Sequence, residues 1–418
     1  MKLKGCFLLV FFIKTSTVFA VTLGESVDLA IQSNPIVNIL QSDVNTSAAR
    51  LKQARSSFYP RMTLTIENGA SEVSGGKWQS LTRSRVQIQQ LLYDFRKTSF
   101  QVNSAEQLHK NKELQLLAGR QRLALLVSRA YLELLKLDTI LLLVDQNIEA
   151  YEEFLAIMRK REVAGVSTFS DVQRVKGLLQ GAKKDQITYL SDKKFAEQAF
   201  TLIVGQAPVN RVVPDLDKLL LPWGEAELLG QVKNHYYGVK AKVYEVDSAR
   251  SLLRSSRRAL YPEVSLQASI SNEQSIGTDN EWEAENQLKV VVSYDLLDGF
   301  LARNKVNERQ SLFMRSQYQL DDYLRTLEKE VREAFSTWQR MAQEKTANSE
   351  LLAVNREIVV LYRQEFELGQ KSLLDVTTVQ RDYYQAAVDG TYYHFEYYIS
   401  LLGVLFYLNK VTDQVRQL

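Results

Sequence analysis

Two patterns of apolar and polar positions recur, in the same order, in each half of this chain. In the second half Val264, Leu266, Ala268 and Ile270 alternate with Ser265, Gln267, Ser269 and Ser271. That period of two predicts a strand with one apolar and one polar face. After a loop rich in Asn, Gly and Asp, Leu288, Val290, Val292 and Tyr294 alternate again. In the first half Met62, Leu64 and Ile66 lead to a Gly75-Gly76 loop. A strand near 81–92 then sets Val86 and Ile88 against Arg85, Gln87 and Gln89. The predicted hairpins, near 61–92 and 263–295, have strands long enough for the roughly 9–11 residues of a tilted membrane-spanning strand.

The second pattern follows each hairpin. Leu123, Val127, Ala130, Leu134, Leu137, Leu141, Val144, Ile148, Tyr151, Leu155 and Met158 are spaced alternately by four and three, and all are apolar. This is the heptad seam of helices packed as a coiled coil. The equivalent seam of the second half is interrupted by Lys345, Asn348 and Asn355, and is expected to be looser or to face water. No proline falls between Phe95 and Val163, so a single helix there would be a rod of roughly 100 Å. Breaks at Gly165 and Gly369 predict second long helices over Ser170–Val204 and Leu374–Leu408.

The halves are copies of one unit. Val127-Ser128-Arg129-Ala130-Tyr131 matches Val331-Arg332-Glu333-Ala334-Phe335, and Gly165 and Asp171-Val172 match Gly369 and Asp375-Val376, all at an offset of 204. Phe58-Tyr59-Pro60 matches Leu260-Tyr261-Pro262. Repeats are assigned to 21–207 and 225–410. A proline-containing linker joins them at 208–224, and 411–418 reads as a C-terminal tail.

Composition narrows the class. With 45% hydrophobic residues and a mean hydropathy of -0.22, the chain reads as folded and water-compatible rather than as a bundle of membrane helices. Lys2 and Lys4, the apolar run Phe7 to Ile13, and Val18-Phe19-Ala20 predict a secretory signal peptide over 1–20. The formal charge of +3 equals the contribution of Lys2, Lys4 and Lys14, so the exported part is formally neutral and gives no case for nucleic acid. The only cysteine, Cys6, lies within the signal and precedes the apolar run. That argues against a lipid anchor, disulfides and a thiolate metal site. His109, His235 and His394 form no ligand pair, and no phosphate-binding or nucleophile motif is present, so neither an enzyme, a metal site nor a cofactor is expected.

Four strands per chain cannot close a barrel, whose smallest size is about eight, and an open sheet edge cannot sit in lipid. Several chains must pool strands, and three would give twelve. The long helices would continue such a barrel as a tube. A pore-less periplasmic adaptor or scaffold is the competing reading of the heptads, but it needs no membrane-length strands. Tyr59, Trp78, Tyr93, Tyr261, Trp282 and Tyr294 around the hairpins are candidate interfacial anchors.

Across essentially the whole exported chain the sequence resembles the TolC family of outer-membrane channels. Val21-Thr22-Leu23 with Val27, Leu29, Ala30 and Asn34-Pro35 looks like the family's opening helix. The two Tyr-Pro pairs precede the hairpins, and Leu296-Leu297-Asp298-Gly299-Phe300 resembles the strand exit. Gly165 to Asp171 and Gly369 to Asp375 resemble the two helical tip turns. The resemblance implies a mixed α and β fold. That fold is a homotrimer with a transmembrane β-barrel of twelve strands, continued by a periplasmic coiled-coil tunnel. It implies a periplasmic adaptor docked at the tips, linked to an inner-membrane ABC transporter or efflux pump, and outer-membrane lipid around the barrel.

By the same resemblance Asp375 falls on an acidic position of the periplasmic aperture, Lys371 on a basic locking position, and Asp171 on the equivalent turn. The family's second aperture acid is Thr378 here, which weakens a charge gate. Adaptor contact is expected at Gly165, Val166, Ser167, Gly369, Gln370 and Ser372. The residues alone support a plainer reading of the same turns. The glycines permit positive φ; Ser167, Thr168 and Ser372 can cap the following helices; and Asp171 and Asp375 suit helix starts. Glu367 to Val376 and Arg161 to Val166 look most like members serving type I protein secretion, with small-molecule efflux as the alternative.

Overall fold

The computed structural model describes residues 22–73, 77–276 and 282–418; at 71, 73, 77–81, 274–276, 282 and 283 it describes the backbone alone. The signal peptide reading of 1–20, the Gly75-Gly76 loop and the side chains of Trp78 and Trp282 lie outside the described residues.

Two helices of 67 residues set the length of the molecule: α3 (Lys97–Val163) and α7 (Leu301–Glu367). Each is a rod of roughly 100 Å. The shorter α4 (Phe169–Val204) folds back along α3, and α8 (Leu373–Tyr407) along α7. Two further helices, α2 (Pro35–Ser56) and α6 (Tyr237–Arg258), pack on α3, and α6 also meets α7. Among the described residues three short α-helices remain: α1 (Leu23–Ser33), α5 (Glu225–His235) and α9 (Val411–Val415).

The seam predicted on α3 is dry. Leu123, Val127, Leu134, Val144, Tyr151 and Met158 are all buried, and each contributes on the order of 1.5–3 kcal/mol of apolar transfer. At the waist it joins Leu23 and Val27 of α1, Phe200 and Val204 of α4, and Leu401, Leu402 and Leu405 of α8. Residues 208–224 are more than a linker. A 3-10 turn at Leu216–Lys218 places Leu216 and Leu219 in this core. Residues 411–418 are not a loose tail either. Val411 and Val415 of α9 are fully buried, and Arg416 Nη2 lies 2.6 Å from Asp28 Oδ1.

The α7 seam is looser, as expected, with far fewer buried residues than α3, but its polar interruptions find partners on α8. Asn348 is buried, and its Nδ2 donates to the Ala386 carbonyl at 2.9 Å. Asn355 Nδ2 donates to the Asp382 carbonyl at 3.3 Å. Lys345 Nζ lies 4.7 Å from the Tyr397 and Tyr398 ring centres and donates to the Tyr398 hydroxyl at 3.3 Å. The polar breaks in the pattern thus cross to α8, Asn348 in the buried interior and Asn355 at an exposed position.

The strands β1 (Arg61–Val73), β2 (Lys77–Tyr93), β3 (Glu263–Ile276) and β4 (Trp282–Ser293) form one antiparallel sheet in that order. The β2–β3 pairing fuses the hairpins of the two repeats. Apart from a bulge at Leu91–Tyr93, their register runs across all four strands. Leu64 faces Val86, Val86 faces Ile270, Ile88 faces Ala268, and Ala268 faces Leu288. Both strand-to-helix junctions use left-handed backbone, at Phe95 and Arg96 in one repeat and Gly299 and Phe300 in the other. Phe95 stacks on Tyr261 with ring centres 5.0 Å apart, which offsets the cost of its positive φ. Tyr59, Tyr93, Tyr261 and Tyr294 all lie at this helical end of the sheet, and all are exposed.

Candidate functional site

Two ends of the molecule carry the candidate chemistry. At the tips, α3 ends in a tight turn whose Gly165 has φ +75°, and α7 in one whose Gly369 has φ +78°. The Val166 N–H reaches back to the Arg161 carbonyl at 2.9 Å, and the Gln370 N–H to the Glu365 carbonyl at 2.8 Å. These bonds satisfy helix-end carbonyls in the manner of a Schellman turn. A capping box then opens each following helix. Thr168 Oγ1 accepts from the Asp171 N–H at 3.2 Å, and Asp171 accepts from the Thr168 N–H at 3.1 Å. Ser372 and Asp375 repeat the exchange at 3.2 and 3.0 Å. Ser167 is not the cap; its hydroxyl points to Asp171 at 3.4 Å.

These hydrogen bonds shift the acids. The Thr168 hydroxyl, and then its N–H, hold the Asp171 carboxyl below the usual range. The Ser372 hydroxyl and N–H do the same for Asp375, with Lys371 adding a smaller pull. Lys371 itself is turned back along its own chain, 4.4 Å from the Tyr362 ring centre and 4.0 Å from Glu365. The Thr378 hydroxyl donates to the Leu374 carbonyl at 2.8 Å within its own helix. Val166 stands in the open at 74% exposure.

The fold brings the two tips together. Phe154, Leu155 and Met158 of α3, Val172 and Val175 of α4, Phe366 of α7, and Leu373 and Val376 of α8 share one apolar cluster. Arg161, which sequence reasoning did not single out, ties them further. Its guanidinium sits 4.2 Å from the Phe366 ring centre and donates to the Phe366 carbonyl at 3.1 Å. No spacing rule pairs residues from different repeats, so only the three-dimensional arrangement shows this contact. The histidines do not converge: they lie on α3, α5 and α8. His109 meets Ser47 and Glu113, His235 meets the Gln231 carbonyl, and His394 packs on Phe395 and Tyr398.

At the other end, the sheet has two chemically distinct faces. Met62, Leu64, Ile66, Val86, Ile270, Leu288, Val290 and Val292 lie on one face, and all are exposed in the single chain. Thr63, Gln87, Ser269 and Gln287 line up on the other. Arg83 there sits between Glu273, 2.6 Å away, and Glu67, 3.6 Å away. Both outer edges, on β1 and β4, lack a strand neighbour among the described residues. Among those residues no helix is long and apolar enough to cross a membrane; the exposed apolar side chains of the sheet themselves suit lipid.

A sheet with a lipid-type face, carried on helices about 100 Å long, defines the protomer of an outer-membrane channel. The pattern of the outer membrane efflux protein family matches residues 26–206 and 228–403, one match in each repeat, and the chain belongs to that family. It is 24% identical over 371 residues to the outer membrane efflux protein BepC of Brucella suis biovar 1, spanning 86% of this chain and 79% of BepC. It is 19% identical to outer membrane protein TolC of Vibrio cholerae, spanning 96% of this chain and 93% of TolC. The fold superimposes on the outer membrane protein VceC of Vibrio cholerae with a TM-score of 0.80 at 16% identity, covering 93% and 96% of the two chains. CusC gives 0.82 at 14% identity, covering 92% and 91%. The fold is TolC-like and the location is the outer membrane, with a large periplasmic helical part.

Proposed function

We propose that three copies of this chain form an exit duct, a barrel of twelve strands opening into a helical tunnel, within a tripartite envelope machine. The observation that carries this reading is the four-stranded sheet, with a largely apolar face interrupted by Ser84, Asn272 and Asn286 and, among the described residues, two unpaired edges. Four strands leave backbone groups unpaired in lipid, and pairing β4 of one copy with β1 of the next removes every edge. The tip turns at Gly165, Val166, Ser167, Gly369, Gln370 and Ser372 are the docking points for a periplasmic adaptor, which connects the duct to an inner-membrane ABC transporter or pump.

The cargo is polypeptide delivered by a type I system, a reading supported by the tip sequences around Gly165 and Gly369. Small-molecule efflux is the second reading, favoured by the name of BepC, an efflux protein. Asp375, with Asp171 and Lys371, lines the periplasmic aperture.

The test is planar-bilayer conductance of the purified chain, with its oligomeric mass determined in the same detergent. A trimer with small, cation-sensitive channels is the expected result; a monomer or dimer without conductance sinks the duct. Asp375→Ala is expected to raise leak and lessen block by trivalent cations. Unchanged leak and block would reduce Asp375 to a helix cap.

A further inference from the structure

The polar face of the sheet is not uniformly charged along its length. Arg61 opens β1 at the helical end, and Lys289 lies near the end of β4, where the chain returns to the helices. Register links them: Arg61 pairs with Gln89, Gln89 with Gln267, and Gln267 with Lys289. All four alternate with the apolar positions, so all four belong to the polar face. Both cations are exposed. Among the described residues neither has a carboxylate partner, whereas Arg83 is held by Glu273 and Lys97 by Glu263. Farther toward the hairpin loops the balance differs. Arg85 shares a register line with Glu285 through Ser271, and Arg83 lies between Glu67 and Glu273. The unpaired charge at the helical end of this face is therefore positive, whereas nearer the loops the Arg83 register line holds three acids, Glu67, Glu273 and Glu283, against one cation.

An unpaired cation beside a glutamine in a narrow polar lumen suits an oxyanion, which accepts from both the charged and the amide donors. We propose that Arg61 and Lys289 form an anion-binding collar where the tunnel meets the barrel, taking carboxylate or phosphate groups of polyanions. This rests on the duct reading, since three copies turn each residue into a ring of three. A barrel of twelve strands, spaced about 4.8 Å and tilted about 40°, is roughly 24 Å across its backbone, so long side chains reach well into the lumen. Low-dielectric walls then focus the field of the six cations. Such a collar attracts acidic segments or phosphate-bearing cargo leaving the tunnel and opposes the passage of multivalent cations.

The experiment uses the full exported chain in planar bilayers, with inorganic tripolyphosphate added on the hairpin-loop side. The expected result is voltage-dependent block that weakens as salt rises through the screening range. The double variant Arg61→Gln, Lys289→Gln is expected to raise the half-blocking concentration roughly tenfold or more. The charge-preserving pair Arg61→Lys, Lys289→Arg is expected to keep the block, which separates loss of the collar from loss of fold. Equal half-blocking concentrations in the wild type and the Gln variant, including no block in either, overturn the collar and leave the duct standing. Absence of conductance in a folded wild-type preparation defeats the duct and the collar together.

Discussion

The helical pairs of the two repeats share a length, a turn geometry and a heptad frame, yet they are held together differently. On α3, Val144 is fully buried in an apolar seam. Its counterpart on α7 is Asn348, also buried but bonded to the Ala386 carbonyl of α8. The buried seam of the α3 pair is thus apolar, and its polar crossings to α4, Lys183 to Glu152 and Gln186 to Asp145, lie on the exposed rim. The α7 pair is a set of directional crossings at Lys345, Asn348 and Asn355. A dry seam has no polar preference to lose, whereas a polar crossing fixes register and partner.

Exchanging the two positions breaks the symmetry most strongly. Val144→Asn puts an amide where nothing meets it, and is expected to cost about 2–4 kcal/mol. Asn348→Val removes one net hydrogen bond of about 1 kcal/mol while adding apolar burial, and is expected to be near neutral. Thermal melts of the helical circular dichroism signal, in one detergent, compare the two. Equal losses would mean that the seams are not different in kind.

A smaller effect sharpens the same point at Gly390 of α8. A Cβ there would meet Asn348 Nδ2 at 2.8 Å, closer than two such atoms pack. Gly390→Ala should therefore displace Asn348 and gain nothing overall. In an Asn348→Ala background the same change should stabilise by up to about 1 kcal/mol, the helix preference of Ala over Gly. A double-mutant cycle reads this change of sign. Additive effects would show that the glycine is not there to admit the asparagine.

The seams also show how much was legible in the sequence. Periodicity places both long helices, both hairpins and the tip turns, because each depends on local spacing. It marks Asn348 and Asn355 only as interruptions of a looser seam, since the partner of a polar residue at a core position carries no local signal. The partner lies on another helix. Residues 411–418 failed for a related reason: Val411 and Val415 are too few to show a period, and only contact with α1 and α3 makes them core. At the tips, the sequence identifies Gly165, Gly369 and both aspartates, since caps are local. Arg161 on Phe366 is a contact between repeats, 205 residues apart, and carries no local signal.

The tips give the smallest and most selective test of the comparison. Both acids have carboxyls held below the usual range, each by its capping hydroxyl first. A folded-state value depressed below the unfolded value of about 3.9 contributes stability that is present above about pH 4 and lost as pH falls through the folded value. The caps are therefore intact at neutral pH, and both helix starts should loosen only in acid. Asp171 accepts from the Thr168 N–H and hydroxyl with Ser167 nearby, while Asp375 has hydrogen bonds from Ser372 alone, with Lys371 adding a smaller pull. The α8 start should accordingly loosen first. Amide protection factors at the first turns of α4 and α8, followed from about pH 6 to about pH 3, measure this directly. Asp171→Asn and Asp375→Asn should each remove the pH dependence at its own tip and leave the other unchanged. If both tips lose protection together in either variant, the shared apolar cluster, not the capping boxes, controls the end of the tunnel.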